Sequence, residues 1–178
     1  KNILPLGGKP LIAWTIDAAK DSEYIDELIL SSDDDEIISI AKKYGCNVPF
    51  KRPKRFATDE SNTIDVLVHS IQFFKNRSIG FDYLVLLEPT SPLRKTIDID
   101  SAIKLLNQNR SKADSIVGVS KVEDTHPVFD VRVNNEGLIS PFIGDSFKVI
   151  RRQDIEDLYY FEGSVYVSDI QVLLEEKS

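Results

Sequence analysis

The feature that most constrains the fold is the alternation of strand-like and helix-like patterns along the first two thirds of the chain. Short apolar runs alternate with segments whose apolar residues recur every three or four positions. Strand patterns lie at residues 28–32, 83–87 and 113–120, and helix patterns lie at residues 11–19, 34–44, 61–74 and 97–106. Ser61 or Asn62 is expected to cap the third of these helices, and Thr96 the fourth. This alternation predicts an α/β fold with a parallel or mostly parallel sheet and helices on both faces.

The alternation changes after about residue 121. Residues 129–133 alternate apolar and polar side chains, and residues 134–137 have the composition of a hairpin turn. We therefore predict an antiparallel excursion over residues 121–150, of the kind that forms a subdomain or a dimer arm. A further strand at residues 163–167 precedes a terminal helix, and the length of 178 residues fits a single domain.

Composition and charge exclude several classes of protein. With 22 Lys and Arg against 29 Asp and Glu, the net charge of −7 argues against a protein that coats nucleic acid or an anionic membrane. No apolar run approaches the roughly 18–20 residues of a membrane span. The lone Cys46 excludes an internal disulfide and a cysteine-built zinc site, and it is predicted to be a small core residue. We predict a cytoplasmic protein without nucleic-acid or membrane partners.

Several polar segments fall where a ligand site is expected. Ligands of open α/β sheets bind at the carboxyl ends of the strands, and residues 33–35 and 88–94 fall at such ends. A basic loop at residues 51–55 carries four cations, whose arginine forks suit a phosphate or a base edge. The alternatives are a capped helix start for the three aspartates and a solvated surface for the loop. Gly7 and Gly8 complete neither a GxGxxG nor a Walker A motif.

Five short motifs follow one another in a fixed order. They are Lys-Asn-Ile at residues 1–3, Arg-Pro-x-x-Phe-Ala-x-Asp at 52–59, Leu-Leu-Glu-Pro-Thr-Ser-Pro-Leu-Arg at 86–94, Arg-Gln at 152–153 and Gly-Ser-Val-Tyr-Val at 163–167. This order resembles that of the acylneuraminate cytidylyltransferases, which make CMP-sialic acids and related CMP-nonulosonates. The resemblance covers essentially the whole chain, and the string at residues 86–94 is close to a family signature.

The resemblance implies a Rossmann-like, GT-A-like nucleotidyltransferase fold with a mixed, mostly parallel sheet. It also implies a reaction in which CTP and a free nonulosonic acid give the CMP-sugar and pyrophosphate, with Mg²⁺. The excursion over residues 121–150 would be the family's dimerisation arm, so a homodimer is expected. The family's first strand and most of its phosphate loop are expected to precede Lys1. Its metal-binding carboxylates are expected beyond Ser178, so no metal ligand is assigned.

The resemblance also implies roles on the nucleotide side of the site. Lys1 would contact phosphate and Asn2 the ribose. Arg52 would contact the nucleotide, and Ser61 and Thr63 would help to line the cytosine pocket. Because these positions match the family pattern, we expect a strong preference for CTP over the other nucleoside triphosphates.

Roles on the sugar side carry over less completely. Arg152 is expected to be catalytic, near the sugar or its carboxylate, and Tyr166 is expected near the sugar. Three positions depart from the family: Glu88 replaces a common Gln, Glu162 a common Asn, and Phe129 a Lys of some sialic acid members. An ionised Glu88 only accepts hydrogen bonds, whereas a Gln also donates. We therefore expect a sugar that presents donors, of the legionaminic type, with N-acetylneuraminic acid as the alternative.

Other interpretations remain open from the sequence. A CMP-Kdo-type synthetase would share the fold, although its motifs are less similar. A receiver-like signalling module would use residues 33–35, but the strand at residues 83–87 is followed by Glu88 and by no Asp acceptor. A degenerate sugar-binding homologue would keep the fold without the activity, given Glu88 and Glu162.

Overall fold

The computed structural model describes residues 1–123, 126–144, 146–147 and 151–177, except for the side chain of Arg152. The chain forms two compact units. The first comprises residues 1–118 with 163–178, and the second comprises residues 119–162. The predicted excursion over residues 121–150 lies inside the second unit, which continues to residue 162.

Helices and strands follow the predicted order in the described residues. The helices are α1 (Leu11–Lys20), α2 (Asp35–Lys43), α3 (Thr63–Lys75), α4 (Thr96–Gln108) and α5 (Ile170–Glu176). The strands are β1 (Pro5–Leu6), β2 (Lys9–Pro10), β3 (Tyr83–Leu86), β4 (Ser115–Lys121), β5 (Val131–Val133), β6 (Ile139–Pro141) and β7 (Tyr159–Asp169). None of the described helices is long and apolar enough to cross a membrane.

The glycine pair near the start of the chain makes a hairpin turn and not part of a phosphate loop. Strands β1 and β2 pair antiparallel with Leu6 opposite Lys9. Gly7 and Gly8 fill the two turn positions with φ of +58° and +91°, which residues with a side chain rarely adopt. A Cβ on Gly7 would lie 3.1 Å from the Trp14 ring, so the turn packs closely onto α1.

Side chains cap the helices largely as the sequence predicts. Asp34 accepts hydrogen bonds from two backbone N–H groups of α2, and Asn62 accepts one from α3. The predicted cap of α4 is wrong, because Thr96 is the first helical residue and its hydroxyl donates to the Ala18 carbonyl at 2.9 Å. The Asp98 carboxylate instead accepts from the backbone N–H that precedes Thr96, at 2.8 Å.

The sheet of the first unit has the order β3-β7-β4. Strands β3 and β7 are antiparallel, with Tyr83 opposite Asp169 and Leu86 opposite Tyr166. This corrects the prediction of a mostly parallel sheet. The reason lies in the connections. The chain reaches β7 through the hairpin excursion, whereas α4 connects β3 to β4 by a helical crossover, the connection that parallel strands require.

The strand predicted at residues 28–32 is reduced to a single bridge. Ile29 pairs with Asn47 in parallel orientation, and the Leu30 N–H donates to the Asn47 carbonyl at 2.9 Å. The Arg52 N–H donates to the Ser32 carbonyl at 2.8 Å. These bonds hold the basic loop against the end of the 28–32 segment.

Helix α1 lies between two apolar clusters. One cluster joins α1 to α4 and β7 and contains Ala19, Ile99, Ile103, Leu106, Val165 and Val167. The other joins α1 to α2 and contains Ile12, Ile16, Ala41 and Cys46. Cys46 is buried, which confirms its prediction as a core residue.

The second unit contains the predicted hairpin. Strands β5 and β6 pair antiparallel, with Arg132 opposite Ser140. The Asn134 side chain accepts from the backbone N–H groups of Glu136 and Leu138, and Gly137 has a φ of +79°. The turn composition read from the sequence therefore specifies the hairpin correctly.

Candidate active site

The candidate site is a cleft of about 1280 Å³ in the first unit. Its inner wall is apolar and includes side chains of the 28–32 segment, α3 and β3. Its polar lining includes residues that the sequence predicts for the site. These are Asn2, Arg52, Ser61, Thr63 and Glu88. Residues from four separate parts of the chain therefore meet at one concave surface, as expected of a ligand site.

Arg52 is the predicted cation that lines this cleft. Its Nε donates to the Ser31 hydroxyl at 3.1 Å, and its guanidinium also donates to the Ser31 carbonyl. Burial lowers the pKa of Arg52, and the nearby Asp33 carboxylate opposes that shift. The arginine nevertheless stays charged at neutral pH, so the cleft holds a half-buried, oriented positive charge.

Ser61 and Thr63 stand at the start of α3, beside the basic loop. The Ser61 hydroxyl accepts from the Thr58 N–H at 2.9 Å and lies 2.9 Å from the Thr58 hydroxyl. The Asn62 side chain caps the helix by accepting from Ile64 N–H, and Thr63 is the first helical residue. The positive end of α3 therefore opens on the same cleft as Arg52, which favours an anionic or strongly polar ligand.

The three aspartates at residues 33–35 have the structural role that was the alternative interpretation. Asp34 caps α2, and Asp35 pairs with Lys51 at 2.7 Å. Asp33 lines the cleft and lies near Arg52. These structural contacts account for the three consecutive aspartates, so no phosphoacceptor site is needed to explain them.

His69 of α3 packs against the two phenylalanines that flank the basic loop. Its ring packs edge-on against Phe50, with 4.8 Å between the ring centroids. It packs at a tilt against Phe56, with 5.3 Å between the centroids. Its Nδ1 is buried without a hydrogen-bond partner among the described residues. Burial, then Arg55, then Arg52 lower the pKa of His69, which favours a neutral ring.

Two residues predicted to border the sugar, Glu88 and Tyr166, converge over Gly163. A Cβ on Gly163 would lie 3.5 Å from Glu88 Oε2 and 3.8 Å from the Tyr166 hydroxyl. Gly163 has a φ of +75°, and any side chain there would fill the space between the two groups. The Thr90 hydroxyl donates to Glu88 Oε2 at 3.3 Å. Glu88 therefore presents an anionic acceptor at the cleft beside a phenol.

Other predicted site residues are not brought into this cleft. Lys1 is exposed and does not line it. Glu162 lies in the second unit, where its carboxylate accepts from the Ser120 hydroxyl at 3.0 Å. Arg152 begins a short 3₁₀ helix, and its side chain lies outside the described part of the chain.

Arg94 is the last residue of the signature string, and the family motifs assign it no role. In the structure Arg94 is almost completely buried, at 7% exposure. The sequence feature that could have drawn attention to Arg94 is its position, because a charged residue directly follows an apolar strand and a Pro-rich turn. Two of its three side-chain hydrogen bonds reach segments 70 or more residues away, which a local pattern does not reveal.

Comparison with known proteins identifies the family. The sequence model of the cytidylyltransferase family matches residues 1–174. The chain belongs to the cytidylyltransferase family. CMP-N,N'-diacetyllegionaminic acid synthase of Legionella pneumophila is 32% identical over 179 residues, which cover all of this chain and 75% of that protein. This confirms the resemblance stated from the motifs.

Two further comparisons extend this result. N-acylneuraminate cytidylyltransferase of Streptococcus agalactiae is 33% identical over 180 residues, and this chain spans only 41% of its length. The solved structure of CMP:2-keto-3-deoxy-manno-octonic acid synthetase complexed with CTP matches 99% of this chain and 70% of that chain, with a TM-score of 0.70. At 17% sequence identity, this likeness shows that this cytidylyltransferase has the α/β nucleotidyltransferase fold.

Proposed function

We propose that this cytidylyltransferase transfers CMP from CTP to the anomeric hydroxyl of a nonulosonic acid and releases pyrophosphate. The observation that carries the proposal is the convergence of Arg52, Ser61, Thr63 and Glu88 on one cleft. Relatives that are about one third identical over the whole of this chain are named as CMP-nonulosonate synthases. The motif positions and the family therefore point to the same chemistry.

The nucleotide half of the proposal rests on Arg52 and on the start of α3. A fixed guanidinium and the positive end of a helix favour a phosphate or a polar base edge. Asn2, Ser61 and Thr63 add neutral polar groups beside them. We assign CTP to this half of the cleft, with the base and ribose beside these neutral groups.

The chemistry requires orientation and charge stabilisation more than covalent work by the protein. The anomeric oxygen forms a bond to the α-phosphorus, the bond from that phosphorus to pyrophosphate breaks, and the hydroxyl proton is released. Cationic and polar groups that stabilise the developing charge supply most of the catalysis in such transfers. This explains why an oriented arginine, Arg52, lines a cleft of an acidic protein.

The proposal includes magnesium only as an ion bound to the triphosphate of the substrate. The described residues contain no group of three or more His, Cys, Asp or Glu side chains that would hold a metal ion. They therefore do not fit a magnesium site built by the protein alone. Magnesium in nucleotide sites is bound largely by the substrate phosphates and one or two carboxylates.

The sugar half of the proposal is a nonulosonic acid of the sialic or legionaminic type. Glu88 is an acceptor at the cleft beside Tyr166, and a second anion beside the substrate carboxylate is costly unless it faces a donor. An amino-bearing or di-N-acylated sugar of the legionaminic type supplies such donors. N-acetylneuraminic acid remains the alternative. In this proposal Arg152 acts on the sugar carboxylate, and Glu162 and Tyr166 border the sugar.

We also propose a homodimer formed through the second unit. Its hairpin and adjoining segments expose many large apolar side chains, more than an isolated surface normally shows. They are Phe129, Val131, Val133, Leu138, Ile139, Phe142, Ile143, Phe147, Tyr159, Tyr160 and Phe161. Light scattering is expected to give twice the mass of one chain. Val133→Lys is expected to shift the mass towards the monomer, whereas Leu105→Lys on exposed α4 is not.

Pyrophosphate release by the full chain tests the proposed function. Each nucleoside triphosphate is combined with a panel of nonulosonic acids and with Kdo. Release with CTP and a nonulosonic acid supports the proposal. Equal turnover with UTP, preference for Kdo, or binding of the sugar without turnover would contradict it.

The competing functions make different predictions in that assay. A CMP-Kdo synthetase would prefer Kdo, and the solved structure of such an enzyme supports only the shared fold. A degenerate homologue would bind sugar without turnover. A receiver-like module would accept phosphate from a small donor, but Asp34 and Asp35 are occupied by the helix cap and by Lys51.

A further inference from the structure

The last residue of the signature string, Arg94, is a buried cation without a carboxylate partner within 4.0 Å among the described residues. Burying a guanidinium is costly unless its donors are satisfied. Burial lowers the pKa of Arg94, whereas the more distant carboxylates of Asp98 and Glu88 raise it. The cost of burying Arg94 is therefore offset by the hydrogen bonds that its guanidinium donates.

The donors of Arg94 reach three separate segments. One terminal nitrogen donates to the Glu88 carbonyl at 2.5 Å, and the other donates to the Thr15 hydroxyl at 3.2 Å. The Nε donates to the Ser164 carbonyl. The guanidinium therefore ties the turn after β3 to β7 and to helix α1.

Two of these three segments carry the sugar side of the candidate site. Glu88 is bonded through its own carbonyl, and Ser164 lies between Gly163 and Tyr166 in β7. Arg94 does not itself line the cleft. We propose that Arg94 is a positioning residue that holds Glu88 and the Gly163–Tyr166 segment in register for the sugar. This inference rests on the proposed function and adds a residue to it.

The inference predicts an asymmetric effect on the two substrates. Arg94 contacts neither Arg52 nor the start of α3, so the nucleotide side should keep its geometry. Lys in place of Arg carries its three donors on one nitrogen and lacks the planar fork that reaches both carbonyls at once. Arg94→Lys is therefore expected to raise the KM for the nonulosonic acid about tenfold and to leave the KM for CTP within about twofold.

The matched control is Thr96→Val. It removes the hydroxyl that donates to the Ala18 carbonyl but leaves the three hydrogen bonds of Arg94 and the side-chain shape. This variant is expected to have a lower Tm with both KM values unchanged. An Arg94→Lys enzyme with a lower Tm but two unchanged KM values, or with both raised equally, would overturn the inference.

A measurement on the wild-type full chain covers the case in which Arg94→Lys does not fold. The ¹⁵N–¹H resonance of the Arg94 Nε–H is followed during titration with CTP and then with the nonulosonic acid that the enzyme uses fastest. A shift on sugar binding that CTP alone does not cause supports the inference, and an equal or absent response overturns it. Wild-type pyrophosphate release reports on the proposed function alone, so the two failures are distinguishable.

Discussion

Arg52→Ala is the perturbation that most directly tests the nucleotide half of the site. The change removes a half-buried charge that lines the cleft and is oriented by Ser31. If the guanidinium binds CTP, the variant should show a higher KM for CTP. The KM for the sugar should change little, because the contacts around Glu88 do not involve Arg52.

The size of the effect follows from the environment of the charge. A hydrogen bond that involves a charged group contributes about 1.5–3 kcal/mol. Since about 1.4 kcal/mol corresponds to a factor of ten, loss of one such contact lowers kcat/KM for CTP by about 10- to 100-fold. Burial of Arg52, which lowers its pKa, places the effect towards the upper part of this range because screening by water is weaker.

Arg55→Ala is the matched control in the same loop. Arg55 is exposed and does not line the cleft, yet its removal changes the net charge by the same amount. Exposed charges contribute at most about 1 kcal/mol, so kcat/KM for CTP should fall less than about fivefold. Steady-state pyrophosphate release, normalised to folded protein by circular dichroism, measures both variants. Similar losses for the two would refute a specific role for Arg52.

Three further predictions follow from the sugar side and from titratable groups. Glu88→Gln should change the kcat/KM of amino-bearing sugars relative to N-acetylneuraminic acid by about fivefold, measured by competition; an unchanged ranking would mean that Glu88 contacts only its own turn. Burial, with a smaller effect of Glu27, raises the pKa of the Cys46 thiol to about 11, so its contribution to stability is complete below about pH 9 and is lost as the pH rises towards 11. Cys46→Ala should flatten that part of the urea-unfolding profile, and parallel wild-type and variant curves would refute this. Burial raises the pKa of Asp169, but hydrogen bonds from Arg110 and from two N–H groups of α5 outweigh it and lower the pKa overall. Asp169→Asn should cost about 1 kcal/mol at pH 7, and this difference should shrink progressively as the pH falls below about 4; a constant difference would contradict the assignment.

Local sequence patterns predict the helices and their ends well. The apolar periodicity of α3 and the capping residues Asp34 and Asn62 act within three or four residues of one another. The hairpin turn at residues 134–137 is local in the same sense. Such features depend on backbone propensity and short-range hydrogen bonds, so one sequence is enough to read them.

Pairing between distant segments is not predicted in this way. The antiparallel direction of β7 and the reduction of residues 28–32 to one bridge depend on partners far along the chain. The cluster around Gly163 is similar, because Glu88 is 75 residues away in the sequence (163 minus 88). Family motifs supply the identities of Arg52, Ser61 and Glu88, but only the fold brings them to one cleft.

The two halves of the candidate site are held by different arginines. Arg52 joins the basic loop to the end of the 28–32 segment through Ser31 and Ser32, whereas Arg94 joins the turn after β3 to β7. Among the described residues, the two guanidinium groups share no hydrogen-bond partner. Energetic effects at sites without shared partners are usually additive. The nucleotide and sugar halves can therefore be changed separately, and the three departures from the family pattern on the sugar side are compatible with an intact nucleotide side.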